Sequence, residues 1–334
     1  MSDASNVPAG ADPSTIFEAI RTETSQVLVG ADRQIEHLTI ALLTRGHVLL
    51  EGVPGVAKTT MATLFARVTG LESRRIQLTP DILPADITGT HVYRESTGEF
   101  ELQRGPVFTN VVIADEINRA TPKAQSALLE AMQERQVSLE GDTLALPTPF
   151  MVVATQNPIE MEGVFELPEA QRDRFSFKLT VDLPDRSDER AIVDRFAADP
   201  TLGPAAVEPV VSPVAIESAR EAVESVHVAE PITEYILDLV AASREHPDVA
   251  HGASPRATLA FVDGAKARAA IYDRSYVIPD DVKSIAEPTL VHRLVLETDA
   301  TLSSTTGATI VDEILADVSP PGATPETLTG PDRT

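Results

Sequence analysis

The stretch of sequence that decides the fold reads His47-Val-Leu-Leu-Glu-Gly-Val-Pro-Gly-Val-Ala-Lys-Thr-Thr60. It opens with a short apolar run of strand length, and Thr59 to Val68 continues with apolar residues at helical spacing. A glycine-bearing turn that follows a strand and opens a helix is the setting of a phosphate-binding loop, because backbone N–H groups and the helix N-terminus point at the anion. We therefore expect this loop to bind and hydrolyse ATP.

Each residue of the loop has an expected part in holding ATP and Mg²⁺. Lys58 is expected to reach the β- and γ-phosphates, and Thr59 to ligate Mg²⁺. Alanine at position 57 departs from the usual pattern, which has glycine there, and costs about 1–2 kcal/mol if the position requires a left-handed backbone. The alternative is a glycine-rich turn that binds no ligand. The other residues expected to surround the phosphates are Gly52, Val53, Pro54, Gly55, Val56, Ala57 and Thr60.

A second apolar run, from Val111 to Ala114, ends in the acid pair Asp115 and Glu116. We expect Asp115 to hold the Mg²⁺ shell, and Glu116 to orient and deprotonate an attacking water. An acid pair after a strand caps the next helix just as often. The position of this pair at the end of a buried strand, downstream of the loop, favours the catalytic interpretation.

Three further polar residues are candidates of lower specificity. Asn157 follows the apolar run from Phe150 to Ala154 and is placed to polarise the same water, although Asn-Pro also begins turns. Arg174 precedes another apolar run and is otherwise read as a surface salt bridge. Arg256 lies in the first turn of a predicted helix, where the helix dipole disfavours a cation, and this indicates a role beyond helix stability.

The order of these patterns predicts an α/β fold with a parallel sheet, followed by a helical region. We expect a nucleotide-binding core over residues 14–182 and a smaller all-helical domain over 183–318, with disordered tails at 1–13 and 319–334. Hairpins are predicted at 90–104 and 137–146. The helices predicted after Pro184 are Ser187–Ala198, Ser212–Ser225, Pro231–Glu245, Pro255–Tyr272 and Pro279–Leu296.

Composition narrows the class of protein further. The net charge is −24, and the basic residues are 22 Arg but only 5 Lys. Such an acidic surface disfavours nucleic acid as a partner, and we interpret the scarcity of lysine as adaptation to a high-salt cytoplasm. The absence of cysteine excludes disulfides and thiol catalysis. With no signal-peptide pattern and no apolar run of membrane-spanning length, we expect a cytoplasmic protein without membrane insertion.

Taken in order, the motifs resemble the MoxR family of AAA+ ATPases, in the branch with an insert in the second helix. The resemblance covers roughly residues 14–316, and an alanine before the loop lysine is usual in this family. Its most specific runs are 51–59, Arg75-Ile-Gln-Leu-Thr-Pro-Asp-Ile-Leu-Pro-Ala-Asp-Ile-Thr-Gly89, 114–134, Ala154-Thr-Gln-Asn-Pro158 and Leu167-Pro-Glu-Ala-Gln-Arg-Asp-Arg-Phe175.

The resemblance implies roles for individual residues. Asn157 matches sensor 1, Arg174 the arginine finger and Arg256 sensor 2, which acts either on its own nucleotide or on a neighbour's. Val29 and Gly30 fall where related ATPases line the adenine pocket. The fold implied is a P-loop core followed by an all-helical lid domain. Family members form hexameric rings with hairpins toward the pore, and their clients commonly carry von Willebrand factor A domains.

The function implied is an ATP-driven, chaperone-like motor that acts on client complexes. It remodels or matures these complexes, or loads metal cofactors into them. Two alternatives stay open: the motor subunit of a metal chelatase, and a nucleotide-gated scaffold with little turnover. The MoxR-specific runs favour the chaperone over the chelatase. The presence of Glu116, Asn157 and Arg174 disfavours the scaffold, and the acidic charge disfavours a nucleic acid motor.

Overall fold

The N-terminal residues join the fold earlier than the sequence predicted. The computed structural model of the protein describes residues 7–8, 10–96, 98–139, 141–158 and 164–322. Val7 is buried and its N–H donates to the Val210 carbonyl at 2.9 Å, and Pro13 already begins a helix. Of the predicted tails at 1–13 and 319–334, residues 1–6, 9 and 323–334 lie outside the described residues.

A parallel sheet forms the centre of the first half, as predicted, and it has five strands. Its strand order is β2-β5-β8-β1-β9, and every neighbouring pair is parallel. The strands in chain order are β1 Val48–Glu51, β2 Ser73–Gln77, β3 Gly89–Arg94, β4 Glu99–Arg104, β5 Val111–Asp115, β6 Gln136–Leu139, β7 Asp142–Ala145, β8 Met151–Gln156, β9 Phe177–Thr180, β10 Val249–His251 and β11 Val295–Leu296. Because β5, β8 and β1 are adjacent and parallel, their carboxyl ends meet at one edge of the sheet.

Helices cover both faces of the sheet and make up most of the second half. They are α1 Pro13–Thr24, α2 Asp32–Leu43, α3 Lys58–Val68, α4 Pro84–Thr88, α5 Pro122–Glu134, α6 Glu169–Arg172, α7 Arg186–Ala198, α8 Pro213–Glu224, α9 Glu230–Glu245, α10 Pro255–Ile271, α11 Pro279–Leu290, α12 Thr298–Leu302 and α13 Gly307–Asp317. We call the region from α7 to α13 the helical part. Within the described residues, no helix is long and apolar enough to span a membrane.

Alternating strand residues divide the core into two layers. Successive side chains of a strand point to opposite faces, and both faces of a parallel sheet are normally covered. One layer packs the sheet against α1, α2 and α3 and continues into the helical part, whereas the other packs it against α5. Leu50, Ile113 and Val153 belong to the first layer, and Leu49, Val112 and Val152 to the second.

Two details differ from the prediction, one in the helical part and one in the central sheet. The helix predicted to run to Leu296 ends at Leu290, and Val295–Leu296 instead forms β11, which pairs antiparallel with β10. The strand β2 was also missed, because four of its five side chains are exposed and it shows no apolar alternation. Both hairpins are confirmed, as β3 with β4 and β6 with β7.

Candidate active site

The loop between β1 and α3 has the backbone shape of an anion-binding turn. A Cβ atom at Gly52 would stand 2.2 Å from the Val181 carbonyl oxygen, so only glycine fits where the chain passes the end of β9. Gly55 has φ +89°, and Ala57 has φ +63° and ψ +23°. The left-handed backbone considered for Ala57 is therefore present, and alanine adopts it at a steric cost of about 1–2 kcal/mol.

Lys58 is the first residue of α3, and its side chain folds back over the loop. Its Nζ atom donates to the Gly52 carbonyl at 2.5 Å and to the Val53 carbonyl at 2.9 Å. These contacts hold the ammonium group beside the N-terminus of α3, where the unpaired backbone N–H groups of a helix attract anions. The Lys58 ammonium group and the N-terminus of α3 therefore lie at the same point, where both attract an anion.

Asp115 ends β5 and accepts hydrogen bonds from three sides. Its Oδ1 atom accepts from the Thr59 hydroxyl at 3.0 Å and from the Thr155 hydroxyl at 2.5 Å. Its Oδ2 atom accepts from Arg75 Nε at 3.0 Å and from the same guanidinium at 2.5 Å. The carboxylate is nearly buried and links the starts or ends of α3, β8 and β2.

Glu116 is held in an unusual backbone conformation beside this carboxylate. Its φ of +57° lies in the left-handed region, and its N–H donates to Thr155 Oγ1 at 3.0 Å. Its Oε2 atom accepts from Gln77 Nε2 at 2.7 Å and from Arg119 at 3.0 Å. Strained backbone of this kind, fixed by its surroundings, is common at functional sites.

Arg75 and Gln77 were not predicted as site residues. They lie two residues apart on β2 and so point to the same face of that strand, which is paired in register with β5. Arg75 contacts Asp115, Gln77 contacts Glu116, and a hydrogen bond of 2.7 Å joins the two side chains. The two-residue spacing of Arg75 and Gln77 could have predicted that they share a face of a strand. That prediction required β2 to be recognised as a strand.

One cavity of about 420 Å³ contains most of the predicted site residues. Asn157 follows β8 and is buried, and its backbone carbonyl accepts a hydrogen bond from Asn118 Nδ2 at 3.2 Å. The predicted residues in the wall of this cavity are Pro54, Gly55, Ala57, Lys58, Thr59, Thr60, Asp115, Glu116 and Asn157. The loop, the acid pair and the asparagine are therefore brought together, as the adjacency of β1, β8 and β5 requires.

A second cavity, of about 480 Å³, adjoins the first at the loop. Both cavities are lined by Gly55, Ala57 and Thr60, and the second is also lined by Val29, Gly30 and Val56. Its far wall comes from α7, through side chains such as Ile192 and Phe196, which were not predicted as site residues. A mostly apolar chamber beside an anion-binding loop suits a flat aromatic base attached to phosphates.

The two remaining candidates, Arg174 and Arg256, lie elsewhere. They line a cavity of about 270 Å³ whose wall includes no residue of the loop, of the acid pair or of Asn157. Arg174 donates to the Leu129 carbonyl at 2.7 Å, and Arg256 stands 3.9 Å from Asp173. Within one chain, the structure therefore does not bring either arginine to the loop.

The donor set at the loop fits a hard divalent cation. Mg²⁺ prefers oxygen ligands and is usually bound by one or two carboxylates together with substrate phosphates. The hydroxyl of Thr59 and the carboxylate of Asp115 are already within hydrogen-bond distance of each other, so both oxygens can reach one ion. The arrangement can hold a nucleoside triphosphate with its metal and place a general base nearby.

Comparisons with known proteins agree with this geometry. Residues 47–177 match the ATPase family associated with various cellular activities (AAA), and residues 241–314 match the AAA lid domain. The chain is 44% identical over 308 residues to Chaperone MoxR1 of Mycobacterium tuberculosis, covering 90% of this chain and 81% of that protein. It is 34% identical over 299 residues to Protein MoxR of Methylorubrum extorquens, covering 82% and 86%.

A solved structure is also similar over nearly the whole chain. The crystal structure of a putative ATPase from Cytophaga hutchinsonii superposes with a TM-score of 0.84 at 39% sequence identity. The match covers 92% of this chain and 95% of that one. The order of a P-loop sheet domain followed by a helical lid is therefore shared with the relatives.

Proposed function

Because the chain belongs to the MoxR-like AAA+ ATPases, we propose that it hydrolyses ATP in a ring assembly and uses the cycle for chaperone-like remodelling of client proteins. The observation that carries this proposal is the cavity in which Lys58 and Thr59 face Asp115, Glu116 and Asn157. The adjoining chamber leaves room for the base on the other side of the loop.

Binding follows from the two cavities. The adenine lies in the chamber lined by Val29 and Gly30, and the phosphates lie along the loop from Gly52 to Thr60. Lys58 exchanges its loop carbonyl partners for the β- and γ-phosphates, since a charged phosphate oxygen is the stronger acceptor. Thr59 and Asp115 hold Mg²⁺, which when bound neutralises charge that develops on the phosphate oxygens.

Hydrolysis needs an oriented water and a base. Glu116 takes the proton of the attacking water, and Asn157 orients that water from the end of β8. Glu116 has a left-handed backbone at the end of β5 and lines the cavity. Gln77 and Arg119 hold one of its oxygens, which leaves the other free to accept a proton.

The separation of the two arginines from the cavity at the loop supports a site shared between protomers. Arg174 and Arg256 line a separate cavity of the same chain, so each acts on the nucleotide of a neighbouring protomer. An arginine supplied by a neighbour stabilises negative charge on the transferred phosphoryl group. A head-to-tail interface of this kind closes into a ring, and we propose a hexamer.

The client side of the proposal rests on the relatives. The similarity to Chaperone MoxR1 of Mycobacterium tuberculosis supports the chaperone role. We propose that the client complex carries a von Willebrand factor A domain, that the hairpin β3–β4 contacts it from the pore side of the ring, and that the work is done in the cytoplasm.

The test separates binding from turnover. We expect Lys58→Ala to abolish ATP binding, and Glu116→Gln to keep binding while turnover falls by about a hundredfold or more. Exposed Lys123→Ala and Glu130→Gln on α5 are the matched controls. Binding is measured by equilibrium titration with a fluorescent ATP analogue, and turnover by phosphate release. A Glu116→Gln protein that hydrolyses ATP at the parent rate would contradict the assignment of the base.

The Glu116→Gln variant also tests the client. In ATP it is expected to remain in the client-bound state, so it should retain a von Willebrand factor A domain partner that the parent protein releases. If the variant binds ATP but retains no such partner, the ATPase assignment stands and the client assignment fails.

A further inference from the structure

Asp173, next to the proposed arginine finger Arg174, joins the sheet domain to two points of the helical part. Its Oδ1 atom accepts a hydrogen bond from Arg293 Nε at 2.7 Å. Its Oδ2 atom accepts from the Ser254 hydroxyl at 2.9 Å, and Arg256 stands 3.9 Å from the same oxygen. One mostly buried carboxylate therefore contacts both the residue that caps α10 and the chain after α11.

The Arg293 side chain binds the backbone of the turn that carries Arg174. Its guanidinium donates to the carbonyls of Phe175 at 2.7 Å, Ser176 at 3.2 Å and Asp173 at 3.4 Å. It also donates to the Thr289 carbonyl at the end of α11. The side chain is 3% exposed, and with the bond to the Asp173 carboxylate its five N–H donors all have partners. Arg293 therefore holds the backbone on both sides of Arg174.

Ser254 connects the same carboxylate to Arg256. Its hydroxyl accepts a hydrogen bond from the Arg256 N–H at 3.1 Å and so caps α10, while it donates to Asp173. The first turn of α10, which carries Arg256, is thereby fixed relative to the turn that carries Arg174. Both arginines line the same cavity on the face of the chain away from its own loop.

We propose that Asp173 and Arg293 are positioning residues, which lock Arg174 and Arg256 into one unit with the helical part so that the pair is presented together to the nucleotide of the neighbouring protomer. This inference rests on the proposed function, because it assumes that the two arginines act between protomers.

The first experiment asks whether Asp173 affects turnover without affecting binding. Asp173→Asn keeps the size of the side chain but removes the charge that orders three donors. We expect kcat to fall by about tenfold or more, because small misplacements of a group that stabilises the transition state are costly, while the affinity for ATP stays unchanged. Asp173→Glu keeps the charge and should recover part of kcat. A parent-like kcat in Asp173→Asn would overturn the proposal.

A matched pair of lysine substitutions separates positioning from general stability. Arg220 is another buried arginine of the helical part that donates to a sheet-domain carbonyl, that of Leu42, but its ion pair is with Glu217 rather than with Asp173. Arg293→Lys and Arg220→Lys should both lower the melting temperature, since lysine cannot reproduce the forked contacts. Only Arg293→Lys should also lower kcat. Equal losses of kcat in the two variants would contradict a positioning role for Arg293.

Mixed rings test whether two defective variants restore ATP turnover to each other. A purely local defect would not be restored in this way. Asp173→Asn protomers keep an intact loop, and Lys58→Ala protomers keep an intact finger, so mixing should restore turnover at about one interface in four. Arg174→Ala mixed with Lys58→Ala is run in parallel. Recovery in both mixtures supports the proposal, and recovery with Arg174→Ala alone overturns it. Recovery in neither, despite demonstrated co-assembly, overturns the shared site of the proposed function.

Discussion

The Thr59 hydroxyl donates to Asp115 Oδ1 at 3.0 Å and so joins the first turn of α3 to the end of β5. Burial by itself raises the pKa of Asp115, but the hydrogen bonds from Thr155, Arg75 and Thr59 outweigh it, and the pKa lies below its ordinary value. The carboxylate is therefore ionised at neutral pH. An ionised carboxylate already in contact with the threonine hydroxyl is prepared to share a divalent cation with it.

Asp115→Asn is expected to uncouple nucleotide binding from Mg²⁺. The amide keeps the shape of the side chain but is a weaker ligand and leaves Arg75 without an anionic partner. We expect turnover to fall by about a hundredfold, while ATP binds with the same affinity in EDTA as in magnesium. The measurement is titration of a fluorescent ATP analogue with and without Mg²⁺, with exposed Asp142→Asn as the control. A variant whose affinity still rises on adding Mg²⁺ would show that Asp115 does not hold the ion.

Ala57→Gly is expected to stabilise the fold slightly. Alanine at φ +63° costs about 1–2 kcal/mol, whereas glycine adds about 0.4–1 kcal/mol of unfolded-state entropy, so the net gain is roughly 0.5–1 kcal/mol. The gain in the free energy of unfolding is measured by urea unfolding. Ala191→Gly in the middle of α7 is the control and should cost about 1 kcal/mol, as glycine does in helices. If Ala57→Gly lowered the free energy of unfolding as much as Ala191→Gly does, the left-handed backbone at position 57 would carry no strain.

Much of the sheet domain was predictable because its strands are buried on both faces. The runs 48–50, 111–114 and 151–154 are apolar throughout, and each leads directly into a polar motif. Parallel pairing then requires those motifs to meet at one edge of the sheet, as they do. The strand β2 escaped prediction because it lies at the edge and four of its side chains face solvent.

The contacts around the site were less predictable, because they join residues distant in sequence. Nothing local to Arg293 indicates that its guanidinium surrounds the turn at Arg174, since that contact depends on how α11 packs against β9. The contact between Gln77 and Glu116 likewise depends on the pairing of β2 with β5. A motif identifies which residues do the chemistry, whereas the residues that position them are selected by tertiary packing.

His47 is expected to destabilise the fold in acid. Its Nδ1 atom accepts from the Val152 N–H at 3.0 Å and its Nε2 atom donates to the Met132 carbonyl at 3.2 Å, which fixes the neutral ring. Burial lowers the pKa of His47 to about 4 from 6.5. As the pH falls below 6.5 the unfolded chain binds a proton that the folded chain does not, so stability is lost progressively down to pH 4, by about 3 kcal/mol in total.

His47→Gln removes this titration. We expect the variant to be less stable than the parent at pH 7, but to lose less free energy of unfolding between pH 6.5 and pH 4. Urea unfolding across that range provides the measurement, and the same replacement at exposed His251 is the control. Parallel pH curves for the parent and His47→Gln would place the acid sensitivity elsewhere in the chain.

The acidic surface is expected to make stability depend on salt. With 51 acidic against 27 basic residues, self-repulsion opposes the compact state, and screening shortens from about 10 Å in 0.1 M salt to about 3 Å in 1 M salt. We propose that the protein is adapted to high salt, and expect its urea midpoint to rise with potassium chloride up to about 1 M. Replacing exposed Glu221, Glu234 and Asp238 by their amides should reduce this dependence, because each removes one repelling charge. An equal midpoint in dilute and molar salt would mean that the acidic residues are balanced locally, and that the scarcity of lysine has another origin.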